Sequence, residues 1–271
     1  MLKLSIITVN YNNAPGLAKT IDSVIGQQCD EFEYIIIDGG STDGSVEMIR
    51  QFESKIAYWV SEPDSGIYQA MNKGIVQAKG EYCQFLNSGD YLLRPDVTER
   101  MLTNVTPDCS ILYGNKIRRY NGVDRVEKSY AGRRITLFDM YVSTLFHAPT
   151  YIKKTLFDRY GLYDETLKIV SDWKFYLIAV GLNNETVLYR DIDVVWFDSQ
   201  GISSTNKALD RQEREQVLAA VLPKPILADY QEFARDLTII RKIKKLPGLW
   251  FFILNLYRLV IRLDRYVAQE R

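Results

Sequence analysis

Histidine occurs once and cysteine three times in this chain of 271 residues, and each scarcity removes a class of chemistry. The single imidazole, His147, rules out metal centres rich in histidine. Cys29, Cys83 and Cys109 form no C-x-x-C pair and leave one unmatched, which argues against a disulfide framework or a zinc site and fits a reducing compartment. Neither sign of charge is in excess: Lys+Arg and Asp+Glu stand at 34 each, which speaks against a general nucleic-acid binder. No apolar run reaches the roughly 18 residues that a spanning helix needs. Met1-Leu2-Lys3-Leu4 leads straight into a strand pattern with no signal-peptide features, so a cytoplasmic protein is expected. Repeats, low-complexity tracts and a flexible interdomain linker are also missing. One domain with a C-terminal extension is the simplest organisation.

What is present is a regular alternation of strand and helix in the first hundred residues. The 46% hydrophobic and 25% charged residues belong to an ordinary globular protein. Strands are expected at Leu4 to Val9, Tyr34 to Ile37, Ile56 to Val60 and Tyr82 to Leu86. Between them, Asn13 can cap a helix with Pro15 in its first turn, and Leu17, Ile21, Val24 and Ile25 recur at helical spacing. Further helices are expected over Val46 to Phe52 and through Ala70, Met71 and Ile75 to Ala78. Such spacing implies parallel pairing with right-handed crossovers. After Pro95 the pattern loosens. Strands are read at Ser110 to Gly114, Gly122 to Tyr130 and Val187 to Trp196, with an antiparallel pair around Asn121-Gly122. Helices are read at Lys153 to Tyr160, Ser171 to Val180 and Lys207 to Leu222. The domain is placed at residues 1–222 and the helical extension at 223–271.

Three apolar strands each deliver polar groups at their carboxyl end, where open α/β sheets bind ligands. Thr8, Asn10 and Asn12 follow the first strand and can meet a base or ribose, or can simply close local turns. Asp38 ends the second, with Gly39 and Gly40 letting backbone approach a ligand and Asp43 either near it or capping a helix. Asn87-Ser88-Gly89-Asp90 ends the fourth, a polar turn tipped by a carboxylate. Mg²⁺ or Mn²⁺ takes few protein carboxylates and completes its shell with phosphate oxygens and water, so Asp90 alone is chemically sufficient. Asp64, Asn72 and Lys73 lie in and after Glu62-Pro63-Asp64-Ser65-Gly66-Ile67-Tyr68 and can serve a donor or remain structural. Asp172, in Ser171-Asp172-Trp173, is a general-base candidate or a helix cap. His147 and Trp173 can line an acceptor, and Ser203, Ser204 and Lys207 can close over phosphate.

Taken in order, Thr-Val-Asn-Tyr-Asn, Ile-Ile-Asp-Gly-Gly-Ser-Thr-Asp-Gly, Glu-Pro-Asp-Ser-Gly-Ile-Tyr-Gln-Ala-Met-Asn-Lys-Gly and Phe-Leu-Asn-Ser-Gly-Asp resemble the family 2 inverting glycosyltransferases of the GT-A fold. The similarity is greatest to bacterial enzymes of capsule, exopolysaccharide, lipopolysaccharide and colanic-acid synthesis, and it covers residues 3–95 strongly and continues to about 205. It implies an α/β fold with a mostly parallel central sheet flanked by helices. It also implies a UDP-sugar or related donor and a divalent metal on Asp90. Thr8, Asn10, Asn12, Asp38, Gly40, Asp43, Asp64, Asn72, Asn87, Ser88 and Gly89 would then lie on the donor side. Asp172 would be the base, with His147 on the acceptor side. Where the family pattern has Asp-x-Asp-Asp, this chain has Asn87-Ser88-Gly89-Asp90, so metal affinity is expected to be weaker.

The extension carries eight basic and two acidic residues over 241–271. Arg241-Lys242-Ile243-Lys244-Lys245 precedes the aromatic, amphipathic Leu249-Trp250-Phe251-Phe252-Ile253-Leu254, which suggests an in-plane anchor on an anionic membrane face or a packing surface for a second subunit. The expected function is transfer from a nucleotide sugar to a lipid-linked or growing saccharide at the inner membrane face. The alternative is a catalytically silent nucleotide-sugar-binding or scaffold subunit.

Overall fold

The computed structural model of the chain describes residues 2–199, 201 and 205–269. It divides into two compact units, 1–217 and 218–271. The first is built on a nine-stranded sheet. Its first half is β1 (Leu4–Asn10), β2 (Phe32–Asp38), β3 (Tyr58–Ser61) and β4 (Tyr82–Asn87), in spatial order β3-β2-β1-β4 and all parallel. Between them run α1 (Ala14–Ile25), α2 (Ser45–Gln51) and α3 (Ile67–Gln77).

The second half continues from β4 with antiparallel pairings, except that β6 and β9 run parallel. It contains β5 (Tyr91–Leu92), β6 (Ile111–Tyr120), β7 (Val123–Glu127), β8 (Thr150–Lys153) and β9 (Val187–Trp196). The order beyond β4 is β8-β6-β9-β5, with β7 hairpinned onto β6. Four pairings are parallel and four antiparallel, so the sheet as a whole is mixed. Asn121 and Gly122 have φ of 48° and 81°, the left-handed pair that a two-residue hairpin turn needs.

The core follows from the strand composition. β1 and β2 are buried along almost their whole length, as strands covered on both faces must be. Leu17, Ile21 and Val24 of α1 close over Leu4, Ile6, Tyr34 and Ile36. Gly74 of α3 approaches β1 so closely that a Cβ there would lie 2.4 Å from the Ile7 side chain.

Several boundaries differ from expectation for local reasons. The Gly122 to Tyr130 strand ends at Glu127, and Tyr130 and Ala131 turn with φ of 47° and 44°. The Lys153 to Tyr160 helix is shorter, α6 (Thr155–Tyr160), because residues 150–153 pair as β8 between β4 and β6. The short helices α4 (Val97–Leu102) and α5 (Leu137–Val142) and the two-residue β5 carry too little periodicity to read. α7 (Ser171–Tyr176) runs on through a π-helical turn to Leu182. α8 (Lys207–Val221) follows.

The second unit contains α9 (Lys224–Lys244) and α10 (Pro247–Gln269), packed on each other. Phe251, Phe252, Leu256, Tyr257 and Leu259 of α10 are exposed. Among the described residues no helix is long and apolar enough to cross a membrane.

Candidate active site

Parallel register decides where the motif residues meet. Asn10 is paired with Asp38, and Val9 with Asn87, so the ends of β1, β2 and β4 lie side by side. Asp38 is fully buried and its two oxygens accept from the Asn10 amide (2.7 Å), the Ser41 and Ser61 hydroxyls (both 2.6 Å) and the Gly40 and Ser41 amides. Burial opposes its charge, but donation from Ser41, Ser61 and Asn10 outweighs it and holds the carboxyl below its usual range. Asn12 binds the same loop through its backbone N–H to Ser41 Oγ and its side-chain oxygen to the Thr42 amide. Asp43 accepts from Ala14 N (2.8 Å) and from Ser45, joining the start of α1 to that of α2.

These residues were expected to face a nucleoside. In this structure the side chains of Asp38 and Asp43 are engaged in building the loop around it. Thr8 points to the same face as Leu4 and Ile6, is buried, and receives the Tyr34 hydroxyl at 3.0 Å. Period-two alternation puts it in the core. Asn72 is buried on α3. It grips the backbone N–H and C=O of Tyr163 and the Glu165 carboxylate, locking α3 to that loop.

The residue at the strand ends that sequence reasoning missed is Tyr11, 67% exposed. A Cβ at Gly39 would sit 2.7 Å from Asp64 Oδ2 and 3.2 Å from the Tyr11 ring, so the aromatic and the carboxylate flank a bare stretch of backbone. Asp64 also accepts from Gly66 N at the entry to α3. Gly40, at φ 81°, tucks against Pro63. The available signal was a large aromatic in an otherwise polar strand exit.

The turn after β4 is held from behind by α1. Thr20 Oγ1 donates to the Asp90 carbonyl (2.7 Å) and receives the Gly89 amide (3.0 Å), while the Asn13 amide donates to the Ser88 carbonyl. Gly89 has φ 108°, and a Cβ there would lie 2.8 Å from Asp198 Oδ2, so glycine is required twice over. Asp90 is only 2% exposed. Its Oδ1 accepts the Asp198 amide, whereas Oδ2 has no partner, and neither has the buried Oδ1 of Asn87. Burial, with the nearby Asp198 carboxylate adding to it, pushes Asp90 up to about 7. Two buried acceptors without donors, beside a further carboxylate, are a donor set suited to a cation. No cluster of three or more His, Cys, Asp or Glu ligands exists among the described residues, so a metal here must take the rest of its shell from elsewhere. Diphosphate oxygens and water would complete it. Asp198, beyond β9, carried no sequence signal.

Asn87 and Asp90 open onto a cavity of about 300 Å³ that is also lined by Asp172, His147, Lys116 and Arg118. Lys116 is buried with its ammonium 4.0 Å and 4.4 Å from the Phe146 and Phe197 ring centres and 3.2 Å from Glu127. Burial pushes its pKa down against the pull of Glu127. Arg118 Nε is buried without a partner. Neither residue was singled out from sequence; both follow from alternate positions on β6.

Asp172 opens α7. Its Oδ1 accepts the Tyr68 hydroxyl at 2.9 Å. Glu213, buried on α8, accepts the backbone N–H groups of Lys168, Ile169 and Val170 and so anchors the segment leading to Asp172. His147 stacks on Phe85 (4.9 Å) and meets the Tyr163 hydroxyl at 2.9 Å; burial lowers its pKa and keeps it neutral. Trp173 forms cavity wall but is buried, with its indole N–H on the Met140 carbonyl and Arg214 over its ring. Lys207 lines the same cavity, while Ser203 and Ser204 lie outside the described residues.

The glycosyl transferase family 2 model matches residues 5–166. An uncharacterized glycosyltransferase of Mycobacterium tuberculosis is 34% identical over 212 residues, covering 74% of this chain and 77% of the relative. A PGL/p-HBAD biosynthesis glycosyltransferase of Mycobacterium bovis is 26% identical, with 74% and 79% covered. Among solved structures, S. aureus TarS 1–349 in complex with UDP-GlcNAc superposes with a TM-score of 0.66 at 19% identity, over 80% of this chain and 64% of that one. The mannosyltransferase PcManGT from Pyrobaculum calidifontis, in complex with GDP-Man and Mn²⁺, gives 0.57 at 17% identity, over 79% and 60%. The TarS and PcManGT matches show a shared fold, the GT-A arrangement of a mixed sheet between helices.

The buried Asp90 has a consequence for stability. Its folded pKa exceeds the ordinary 3.8, so the folded state holds a proton that the unfolded state releases, and stability falls as pH rises from about 4 to about 7. In the absence of divalent metal, Asp90→Asn is therefore expected to be more stable than the parent at pH 8, by at most about 4 kcal/mol, with the gap closing toward pH 4. Urea unfolding at both pH values measures it. A destabilised variant at pH 8 would mean that the carboxylate is not under burial strain.

Proposed function

The chain belongs to glycosyl transferase family 2, and from that premise we propose inverting transfer of a sugar from a nucleotide-diphosphate donor to a hydroxyl of a lipid-linked or growing cell-surface saccharide. The observation that carries this reading is that the Asn87/Asp90 pair and Asp172 line one cavity, leaving room for a reacting centre between a leaving-group site and a base. On this reading Asp172 takes the acceptor proton as that oxygen attacks the anomeric carbon, and the sugar–diphosphate bond breaks on the opposite side. Asp90, with Asn87, would hold Mg²⁺ or Mn²⁺; when bound, such an ion supplies positive charge for the leaving diphosphate. Lys116 and Arg118 add fixed cationic charge to the same wall, which suits a site whose metal motif has lost a carboxylate.

Tyr11 would stack on the base, with Asp64 and Asn10 beside it. A UDP-sugar is the favoured donor, in keeping with the UDP-GlcNAc held by TarS. Metal dependence is supported by the Mn²⁺ in the PcManGT complex. The silent-scaffold alternative takes its motive from the carboxylate replaced by Asn87; Asp172, bonded by Tyr68 and lining the cavity, supports the transferase reading instead. The second unit would seat the enzyme on the inner membrane face. Its exposed Phe251, Phe252, Leu256 and Leu259 offer an apolar face, and Lys242, Lys244 and Lys245 offer charge for anionic lipid.

Asp172→Asn should lower kcat by about 10²- to 10⁴-fold, the usual worth of a general base, while donor affinity measured by calorimetry stays within about twofold. Equal loss of binding and turnover would remove Asp172 from the role of base. Truncation after Leu246 should move the protein from the membrane to the soluble fraction. Unchanged fractionation would mean that α10 packs against protein, a second copy included.

A further inference from the structure

Asp172 does not stand alone, and the group beside it has an unusual choice of partner. Tyr68 lies in the first turn of α3, buried, with its ring against Tyr163 at 5.6 Å. One turn further along, Asn72 fixes the helix to the backbone of Tyr163 on both its N–H and C=O, so the tyrosine is placed from two sides. Its hydroxyl lies 2.9 Å from Asp172 Oδ1 and 2.5 Å from the Ile169 carbonyl oxygen. Both neighbours are acceptors when Asp172 is ionised, and the hydroxyl has one proton to give. Ile169 in turn is held in place by Glu213 through its N–H. The carbonyl is thus a fixed second seat for the same proton.

Resting on the assignment of Asp172 as base, we propose that Tyr68 is the positioning residue that tunes it, donating to the carboxylate before transfer and turning to the Ile169 carbonyl afterwards. In the step itself the acceptor O–H bond breaks and its proton goes to Asp172. The acceptor oxygen bonds to the anomeric carbon, and the electron pair of the old bond leaves with the diphosphate. A protonated Asp172 is a poorer acceptor than a carboxylate. The Tyr68 proton then has the better partner 2.5 Å away at Ile169, so the buried hydroxyl keeps a hydrogen bond in both states. Before transfer the same hydroxyl orients one carboxylate oxygen and leaves the other for the acceptor.

Also facing Asp172 are neutral His147 and the buried hydroxyls of Tyr163 and Tyr176. Lys168, Asp210 and Arg214 share the cavity wall with it. None of these has a contact with the Asp172 carboxylate among the described hydrogen bonds and ion pairs of the structure.

The test is Tyr68→Phe in the full-length protein, with kcat, KM and donor affinity measured together. The expected outcome is a kcat lower by about 10- to 100-fold, the worth of a hydrogen bond to a charged group, with donor affinity within about twofold of the parent. Losing a donor to the carboxylate should also shift the acid limb of the kcat profile to higher pH. A kcat within about twofold of the parent, or equal losses in donor binding and turnover, overturns the proposal. Should Tyr68→Phe fold poorly, 3-fluorotyrosine at position 68 keeps ring and hydroxyl but donates more strongly, and must move the acid limb to lower pH. An unmoved limb overturns the proposal too. If the parent protein turns over no nucleotide sugar at all, it is the transferase assignment that fails, and the role of Tyr68 falls with it.

Discussion

In-register parallel pairing of β2, β1 and β4 is the constraint on which the rest of the molecule depends. Asn10 opposite Asp38 and Val9 opposite Asn87 bring three strand exits to one line, although they lie some 30 to 80 residues apart in sequence. A slip of one residue would turn every side chain to the other face and scatter the polar groups. The register is protected by the apolar faces of β1 and β2, which cannot reach solvent without losing the core formed with α1. It is protected again at the exits, where Asp38 accepts from Asn10 of β1 and Ser61 of β3, two donors that only this alignment supplies.

The polar residues of the site then divide by what they can still bind. Asp38, Asp43, Asn12 and Asn72 are already satisfied by protein donors and acceptors, so they shape the site and hold it rigid. Asp90, Asn87 and Arg118 each keep a buried atom without a partner, a state that costs stability in the free protein. Such a cost is retained where binding or chemistry uses it, and here all three line the cavity that contains Asp172. Lys116 and Arg118 line the same space and, on the proposed function, would offset the carboxylate missing at Asn87. On the proposed function, these unmet groups would share one purpose, the handling of a diphosphate leaving group.

Much of this was legible from sequence, and the limits have physical causes. β1, β2 and β4 announced themselves as apolar, β-branched runs ending in Asn, Asp and Gly, and the order of those motifs gave both fold and family. The Asn121-Gly122 turn read as a hairpin for the same local reason. The burial of Thr8 against Tyr34 was not legible, because a single polar residue in a strand does not reveal which face it occupies until the helices above are placed. Asp198 and Glu213 were missed because their roles depend on partners 43 to 108 residues distant, with nothing local to mark them. Tyr68 sat inside a recognised motif, but its relation to Asp172, 104 residues away, is a property of packing alone.

The central claim is direct displacement at one carbon, between a base at Asp172 and a leaving diphosphate at Asp90. Its most direct measurement is the anomeric configuration of the product, read by NMR after transfer from an α-linked nucleotide sugar. The account predicts a β linkage, since a single attack from the side opposite the diphosphate inverts the centre. An α-linked product would contradict it, because retention requires a second displacement.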